Sequence, residues 1–206
     1  MNRVSQPRSR GLCVSTNLHF DWLAPIYDHA IRPPNPDRLR AVLGLPFPGL
    51  LLDAGGGTGR VARALCPAVD QWIISDLSLP MLRQVKENVP ARCGIHINMA
   101  RVERLPFQSQ TFDRVLVVDA FHHFADQPGA VRELARVLKP GGRLVIEEPN
   151  IRHWGVKFIA LAETLALMGS HFRSGDEMCR LLAANGLESH AEEDGESTVW
   201  AIGNKA

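Results

Sequence analysis

The amino-acid sequence predicts an α/β fold built on a doubly wound, mostly parallel β-sheet. The chain has 206 residues, of which 45% are hydrophobic and 22% charged, as expected of one globular domain with a sizeable core. Apolar strand-like runs alternate with helical patterns, which is typical of a parallel sheet covered by helices on both faces. Near the end, strand-like runs at residues 188–193 and 198–202 flank Asp194-Gly195, a pair that favours an antiparallel hairpin.

Each element of this fold has its own signal in the sequence. Apolar runs predict strands at residues 50–53, 72–76, 94–99, 114–119 and 143–147. Helical patterns predict the helices between and before them, at residues 37–43, 60–65, 79–88 and 128–138. Ser174-Gly175-Asp176-Glu177 matches a capping box and opens a helix that extends to about residue 185, before Gly186.

Composition limits the classes of function. The formal net charge is +1, so no global field draws the chain to nucleic acid. The four cysteines are scattered without metal-ligand spacing, which favours reduced thiols in a cytoplasmic protein and no metal site. No segment has the length and hydropathy of a membrane span. We expect a single domain over residues 1–206 with a flexible tail at residues 1–15; a homodimer and contact with a membrane surface are left open.

A glycine-rich loop after the first strand is the strongest motif. The strand ends on Asp53 and turns through Gly55, Gly57 and Gly59 into a helix. Glycines there permit positive φ angles and let a ligand approach the backbone, while amides at a helix start favour polar or anionic ligand groups. A carboxylate just ahead of the loop repels a pyrophosphate and attracts an ammonium or sulfonium group. The pattern therefore favours a cationic nucleoside ligand over a dinucleotide.

A second acid, Asp76, closes the next apolar strand, roughly 20 residues past the loop, where a carboxylate can accept hydrogen bonds from ribose hydroxyls. The alternative is that Asp76 only caps the following helix. Ser78 could form that cap instead, because serine is also a preferred capping residue.

The loop resembles the cofactor loop of class I S-adenosylmethionine-dependent methyltransferases. Further segments resemble, in the same order, those of the methyltransferase type 11 family, which includes enzymes of ubiquinone and menaquinone biosynthesis: residues 77–82, 103–107, 112–119 and 138–146. The resemblance covers about residues 20–204. It implies a Rossmann-like sheet of seven strands that ends in an antiparallel hairpin, S-adenosyl-L-methionine as cofactor, and in-line methyl transfer to a small acceptor.

Together, the loop and the resemblance place the cofactor on nine residues: Asp53, Ala54, Gly55, Gly57, Thr58, Asp76, Leu77, Val102 and Asp119. Leu77 would lie against the adenine face. Arg101 departs from the family pattern, because many relatives carry there an acid that accepts from the adenine amino group. Arginine has donors only, so adenine would depend on the Val102 backbone and on apolar packing.

Two adjacent histidines follow the fourth strand, and sites in open α/β sheets lie beyond the carboxyl ends of the strands. Histidine titrates near neutrality and suits general-base catalysis, so His122 and His123 are candidate catalytic residues. Neighbouring side chains on a turn point in different directions, so we expect only one of them to reach the site. Quinone methyltransferases of the resembling type carry Arg-Asn at this place. This chain departs from that pattern, which counts against quinone C-methylation.

The acceptor side of the site is predicted from two further segments. In the resembling enzymes, the region around Tyr27 covers the methionine end of the cofactor or the substrate. Residues 151–172 are expected to form a helical insertion over the substrate site, with residues 154–168 apolar nearly all round. Such a helix must be buried. Either it packs within the domain, or Phe158 and its neighbours roof a pocket for a lipophilic or aromatic acceptor.

Two other functions are compatible with these residues. A non-catalytic S-adenosylmethionine-binding regulator would carry the same loop and the same acid after the second strand. An NAD-dependent oxidoreductase is less favoured: Gly57-Thr58-Gly59-Arg60-Val61-Ala62 fits the dinucleotide pattern G-x-G-x-x-A, but the charge of Asp53 argues against it.

Overall fold

A computed structural model describes residues 35–66, 68–150, 171–194 and 198–206. The strands are β1 (Phe47–Ala54), β2 (Val69–Asp76), β3 (Ile95–Met99), β4 (Phe112–Val118), β5 (Leu138–Pro149), β6 (Leu187–Glu193) and β7 (Thr198–Lys205). The α-helices are α1 (Pro36–Leu43), α2 (Arg60–Leu65), α3 (Leu79–Asn88), α4 (Gln127–Val137) and α5 (Gly175–Ala183). Short 3-10 helices cover Ala91–Cys93, Val102–Arg104 and Phe121–His123.

The strands form one seven-stranded sheet in the order β3-β2-β1-β4-β5-β7-β6. Neighbours from β3 to β5 pair in parallel, whereas β7 pairs antiparallel with both β5 and β6. The predicted fold class is therefore confirmed, including the antiparallel strands at the end of the chain. The expected tip of the hairpin falls at residues 195–197, outside the described residues.

Two apolar cores lie on opposite faces of the sheet, because successive residues of a strand point to opposite sides. In β4, Leu116 belongs to the core that contains Trp72 and Trp200. Its neighbour Val117 belongs to the other core, together with Leu134 of α4. The central strands are thus buried on both faces, which explains why their sequences are apolar runs rather than alternating patterns.

Local signals explain the helix starts. Ser174 and Glu177 form the predicted capping box of α5, each side chain bonded to the other's backbone amide. Ser78 caps α3, since its hydroxyl accepts from the amide of Met81 at 3.3 Å. Asp126 caps α4 in the same way, because its carboxylate accepts from the amide of Gly129 at 2.9 Å.

Sheet order also decides where a site can form. The chain leaves β1 towards β2 and β3 on one side, and returns to pair β4 against the other side of β1. At such a reversal, the segments that follow β1 and β4 diverge beyond the carboxyl ends of the strands and leave a crevice between them.

The expectation of reduced thiols is wrong for two of the cysteines. Cys66 and Cys93 form a disulfide, with their Cα atoms 5.6 Å apart, which joins the end of α2 to the 3-10 helix before β3. A separation of 27 residues gives no local signal for this pairing. Cys179 is a free thiol. Because disulfides are rare in cytosolic proteins, reduced thiols no longer support a cytoplasmic location. That location stays a prediction.

Some sequence predictions lie outside the described residues. These are the tail at residues 1–15, Tyr27, and residues 151–170 of the predicted insertion, which include Phe158. Within the described residues, no helix is both long enough and apolar enough to cross a bilayer.

Truncation of Leu116 to alanine should lower the free energy of unfolding by roughly 2–5 kcal/mol, because it leaves a cavity in a central strand. Met99, on the edge strand β3, is 59% exposed and provides a control. Met99→Ala should change the same free energy by less than about 0.5 kcal/mol. Urea denaturation followed by circular dichroism measures both variants, and equal losses would contradict this description of the core.

Candidate active site

A cleft opens at the carboxyl-terminal edge of the sheet, beyond the ends of β1, β2 and β4, and encloses about 990 Å³ including its open mouth. Eight of the nine predicted cofactor residues line it: Asp53, Gly55, Gly57, Thr58, Asp76, Leu77, Val102 and Asp119. The ninth, Ala54, is fully buried at the end of β1. The predicted residues thus converge on one cleft.

The glycine loop lies tightly against its surroundings. Gly55 has a φ of +78°, and a Cβ atom there would lie 2.7 Å from the Cβ of Ala120. Gly59, with a φ of +79°, would bring a Cβ atom within 2.9 Å of Val89. Both positions therefore need glycine for conformation and for space. As a result, the cleft is bounded here by backbone rather than by side chains.

Asp76 connects the loop to the second strand. One carboxylate oxygen accepts from the Gly57 amide at 2.9 Å, and the other accepts from the Ser78 amide at 2.8 Å. The side chain that caps α3 is the Ser78 hydroxyl, so the alternative role of Asp76 as the helix cap is not what the structure shows. The Asp76 side chain lines the cleft, and its role in ribose binding stays a prediction.

Asp53 is a buried carboxyl group whose Oδ2 atom meets no hydrogen-bond donor among the residues that the structure describes. Burial raises the pKa of Asp53 from 3.8 to about 7; the Arg60 guanidinium opposes this rise and the Asp76 carboxylate adds to it. A buried polar atom without a partner is costly. A cationic ligand group in the cleft would reduce that cost.

Further carboxyl groups make this end of the sheet strongly acidic. Asp119, directly after β4, has a left-handed backbone with a φ of +53° and forms an ion pair of 3.1 Å with Arg60. Burial raises the pKa of Asp119. Burial, reinforced by the Asp119 carboxylate, also raises the pKa of Glu147 to about 8. Arg60 lowers the pKa of all three acids, Asp53 included, so one guanidinium faces three carboxyl groups.

The two histidines occupy different environments, as expected for neighbours on a turn. His123 lines the cleft, and burial, together with the charge of His122, lowers its pKa to about 3. His122 is buried, and its Nδ1 atom lies 2.6 Å from Oε2 of Glu148. Of the two candidate bases, His123 is therefore the one at the cleft wall. A catalytic role for either histidine stays a prediction.

In the part of the cleft where adenine is predicted to bind, Val102 is buried in its 3-10 helix, while the Arg101 side chain is 45% exposed at the rim. The Arg101 guanidinium lies 3.6 Å from the Glu103 carboxylate. That adenine would depend on Val102 rather than on residue 101 stays a prediction.

Sequence reasoning overlooked three charged residues of this region. Arg60 follows the glycine loop, and Glu147 and Glu148 lie near the end of an apolar strand. The two glutamates carry the same signal that identifies Asp53 and Asp76, an acid at the end of a buried strand. No group of histidine, cysteine or acidic side chains within the described ranges is arranged to hold a metal ion.

Comparison with known proteins agrees with this geometry. Residues 52–146, from β1 to β5, match the family described as "Methyltransferase domain". Over these residues the chain is similar to methyltransferase domains. The matched segment contains the glycine loop, Asp76, Asp119 and both histidines.

Curated relatives match along part of their length. The chain is 37% identical over 139 residues to the ubiquinone/menaquinone biosynthesis C-methyltransferase UbiE of Syntrophotalea carbinolica, covering 63% of this chain and 59% of the relative. For UbiE of Bordetella parapertussis the identity is 39% over 108 residues, with 49% and 41% covered. A Danio rerio protein named arginine-hydroxylase NDUFAF5, mitochondrial, is 41% identical over 98 residues, with 47% and 29% covered. The chain thus spans from 41% to 59% of the length of these two UbiE proteins.

Solved structures share the fold at low sequence identity. The YcgJ protein of Bacillus subtilis superposes with a TM-score of 0.70 at 20% identity, covering 82% of this chain and 97% of that one. A geranyl diphosphate methyltransferase in complex with GPP and sinefungin gives a TM-score of 0.68 at 17% identity, with 83% and 76% covered. At these identities the likeness supports the fold alone.

The pH dependence of stability should reveal the buried charge of Asp53. The pKa of Asp53 is higher in the folded protein than its ordinary value of 3.8, so the folded state loses stability as pH rises from about 4 to about 7. Asp53→Asn lacks this loss. Between pH 5 and pH 8, its unfolding free energy should therefore gain roughly 1–3 kcal/mol over that of the wild type.

Asp113 provides the control for this measurement. Its carboxylate accepts from the Leu50 amide and from Lys139, contacts that hold its pKa below the ordinary value despite the opposing effect of burial. Asp113 is ionised in both states above pH 5, so Asp113→Asn should differ from the wild type by a constant amount between pH 5 and pH 8. A constant difference for Asp53→Asn as well would show that Asp53 is already ionised in the folded protein at pH 5.

Proposed function

We propose that this protein transfers a methyl group from S-adenosyl-L-methionine to a small lipophilic or aromatic acceptor. The observation that carries this proposal is the meeting, in one cleft, of the glycine loop, the Asp76 carboxylate and the buried Asp53 carboxyl. Loop amides and Asp76 suit a nucleoside, while the unpartnered oxygen of Asp53 suits the positive charge that distinguishes this cofactor from a dinucleotide.

The residues present fit each part of the cofactor. Asp76 would accept from the ribose hydroxyls, with Leu77 and Val102 against adenine. Asp53 and Asp119 would face its ammonium and sulfonium groups. The cofactor, when bound, supplies a methyl group that is already activated on sulfur.

The contribution of the chain to the reaction is mainly alignment. A fixed acceptor in line with the methyl group can gain roughly 7–11 kcal/mol of the barrier from positioning alone. His123 adds a neutral imidazole at the cleft wall, which can accept a hydrogen bond from an acceptor hydroxyl and so orient it. We therefore assign the catalytic role to His123 ahead of His122.

The acceptor class rests on the sequence and on the relatives. The UbiE relatives are named for ubiquinone and menaquinone biosynthesis, and a structural neighbour is a geranyl diphosphate methyltransferase. The apolar residues 154–168, with Phe158, and the segment around Tyr27 are our candidates for the acceptor pocket. His122 and His123 replace the Arg-Asn of quinone methyltransferases, so we place phenols beside quinones among the acceptors to test. A homodimer and contact with a membrane surface stay predictions.

The rival functions make different predictions. A non-catalytic regulator would bind the cofactor without turnover, and an oxidoreductase would bind a nicotinamide dinucleotide. A relative named as an arginine-hydroxylase carries a similar segment, so the transferred methyl group itself must be measured.

Asp76→Ala should weaken S-adenosylmethionine binding by roughly 10- to 150-fold, because a charged hydrogen-bonding contact is worth about 1.5–3 kcal/mol. Arg101→Ala should change the affinity little, since that guanidinium lies exposed at the rim. Isothermal titration calorimetry measures both variants. Equal losses would show that the adenine end is held differently from this proposal.

Methyl transfer is tested with cofactor labelled on its methyl group and a panel of phenols and quinones. We expect labelled product with at least one lipophilic acceptor. Phe158→Ser should then reduce turnover while leaving cofactor affinity unchanged, because Phe158 is assigned to the acceptor and not to the cofactor. Cofactor binding without transfer to any member of the panel would favour the regulator, and unchanged turnover in Phe158→Ser would remove this residue from the site.

A further inference from the structure

A buried pair of ionisable groups lies directly behind the cleft-lining histidine. Oε2 of Glu148 lies 2.6 Å from Nδ1 of His122, and the two side chains are only 1% and 3% exposed. Oε1 of Glu148 accepts from the amides of Ala120 at 3.1 Å and Phe121 at 2.8 Å. Glu148 therefore contacts two backbone amides and one ring nitrogen of the Ala120–His122 turn.

The contact with Glu148 favours a charged His122. A carboxylate at hydrogen-bond distance stabilises the imidazolium form, and burial strengthens that interaction by reducing the local dielectric. The other face of the ring is packed: Phe172 stacks on His122 with ring centroids 4.3 Å apart and planes 12° apart. The ring is thus held in place by the stack as well as by the carboxylate.

His123 experiences that charge at close range. The ring centroids of His122 and His123 lie 3.9 Å apart. A second imidazolium at this distance would be repelled, and His123 is itself largely withdrawn from water. Burial first, and the charge of His122 second, lower the pKa of His123 to about 3. The imidazole at the cleft wall is therefore neutral throughout the range in which histidines usually titrate.

Several other charged groups lie in this neighbourhood. Asp119 and Arg60 pair with each other, as do Arg101 and Glu103, which also line the cleft. On the elements behind the turn are Glu147 in β5, Asp126 at the start of α4, and Arg173, which donates to Gln127. Of all these described charges, His122 is the one that shifts the pKa of His123.

We propose that Glu148, acting through His122, is a positioning residue that adds to burial in keeping His123 an uncharged imidazole facing the methyl donor. In this form His123 can accept a hydrogen bond from the acceptor and adds no second cation beside the sulfonium. The benefit of a neutral His123 for cofactor and acceptor binding rests on the proposed function. The charge state of His123 does not, so the two claims are tested separately.

Glu148→Gln is the decisive variant because it removes the charge and keeps the contacts. The glutamine oxygen can still accept from the amides of Ala120 and Phe121, and its NH₂ group can donate to His122. Without the carboxylate, His122 loses the partner that favours its charged form. The midpoint of the His123 titration should then rise by roughly 1–3 pH units, the usual effect of one nearby charge.

Nuclear magnetic resonance measures this midpoint from the ring C–H signals between pH 3 and pH 8. The His123 signal is assigned by its loss in His123→Asn. Asp113→Asn is the matched control, since it neutralises a carboxylate that also bonds a backbone amide and a cation, but at the opposite edge of the sheet. It should leave the His123 titration unchanged. If Glu148→Gln does not fold, the double variant Glu148→Gln with His122→Phe removes both charges and retains the ring stack.

The proposal is overturned if wild-type His123 titrates near pH 6.5, or if Glu148→Gln moves its midpoint no more than Asp113→Asn does. Cofactor binding gives the second measurement. The loss of S-adenosylmethionine affinity between pH 7.5 and pH 5 should be roughly tenfold greater in Glu148→Gln than in the wild type, a difference of about 1.4 kcal/mol. The demethylated product, which lacks the sulfonium, should show no such difference between the two proteins.

The failure of the proposed function has a different signature. A wild-type protein that binds no S-adenosylmethionine, but whose His123 midpoint rises in Glu148→Gln, would overturn the methyltransferase activity and support the charge assignment. An S-adenosylmethionine affinity with the same pH dependence in both proteins would overturn the assigned purpose of the Glu148–His122 pair.

Discussion

The site depends on how the chain accommodates buried carboxyl groups at the carboxyl-terminal edge of its sheet. Asp53, Asp119 and Glu147 lie at the ends of three neighbouring strands, and Arg60 is the guanidinium that acts on all of them. Each would be ionised in water at neutral pH, but burial raises the pKa of each. A ligand cation would favour the ionised forms of these acids, whereas the negative charge of a pyrophosphate would be repelled by them. This constraint, more than the glycine loop, selects a sulfonium nucleoside over a dinucleotide.

The parallel sheet is what brings these groups together. Because β1 and β4 pair side by side, the loops that follow them meet over one crevice. Asp76 then fixes the glycine loop to the second strand through the Gly57 amide. Behind the crevice, Glu148 holds the turn after β4 through two amides and His122. A carboxylate thus anchors each of the two loops that form the walls, in addition to the acids that face the ligand.

The sequence predicts the parts of this arrangement that have local signals. Buried strands are visible as apolar runs, the capping box is visible at Ser174, and acids at strand ends identify Asp53 and Asp76. The observed β1 and β5 are longer than predicted, because residues beyond the apolar runs, such as Phe47 and Leu138, still pair with neighbouring strands. The Glu148–His122 contact and the Cys66–Cys93 disulfide join residues 26 and 27 positions apart, and only the folded chain brings them together. Adjacent histidines could not be told apart from sequence, because their difference arises from which one meets Glu148.

The most direct test of the central claim is calorimetry of ligand binding at pH 7 in two buffers with different ionisation enthalpies. If buried carboxyl groups select a cation, S-adenosylmethionine binds with release of protons. Asp53→Asn should then release fewer protons than the wild type, and NAD should give no binding heat. Tight binding of NAD without binding of S-adenosylmethionine, or equal proton release in the wild type and Asp53→Asn, would contradict the account.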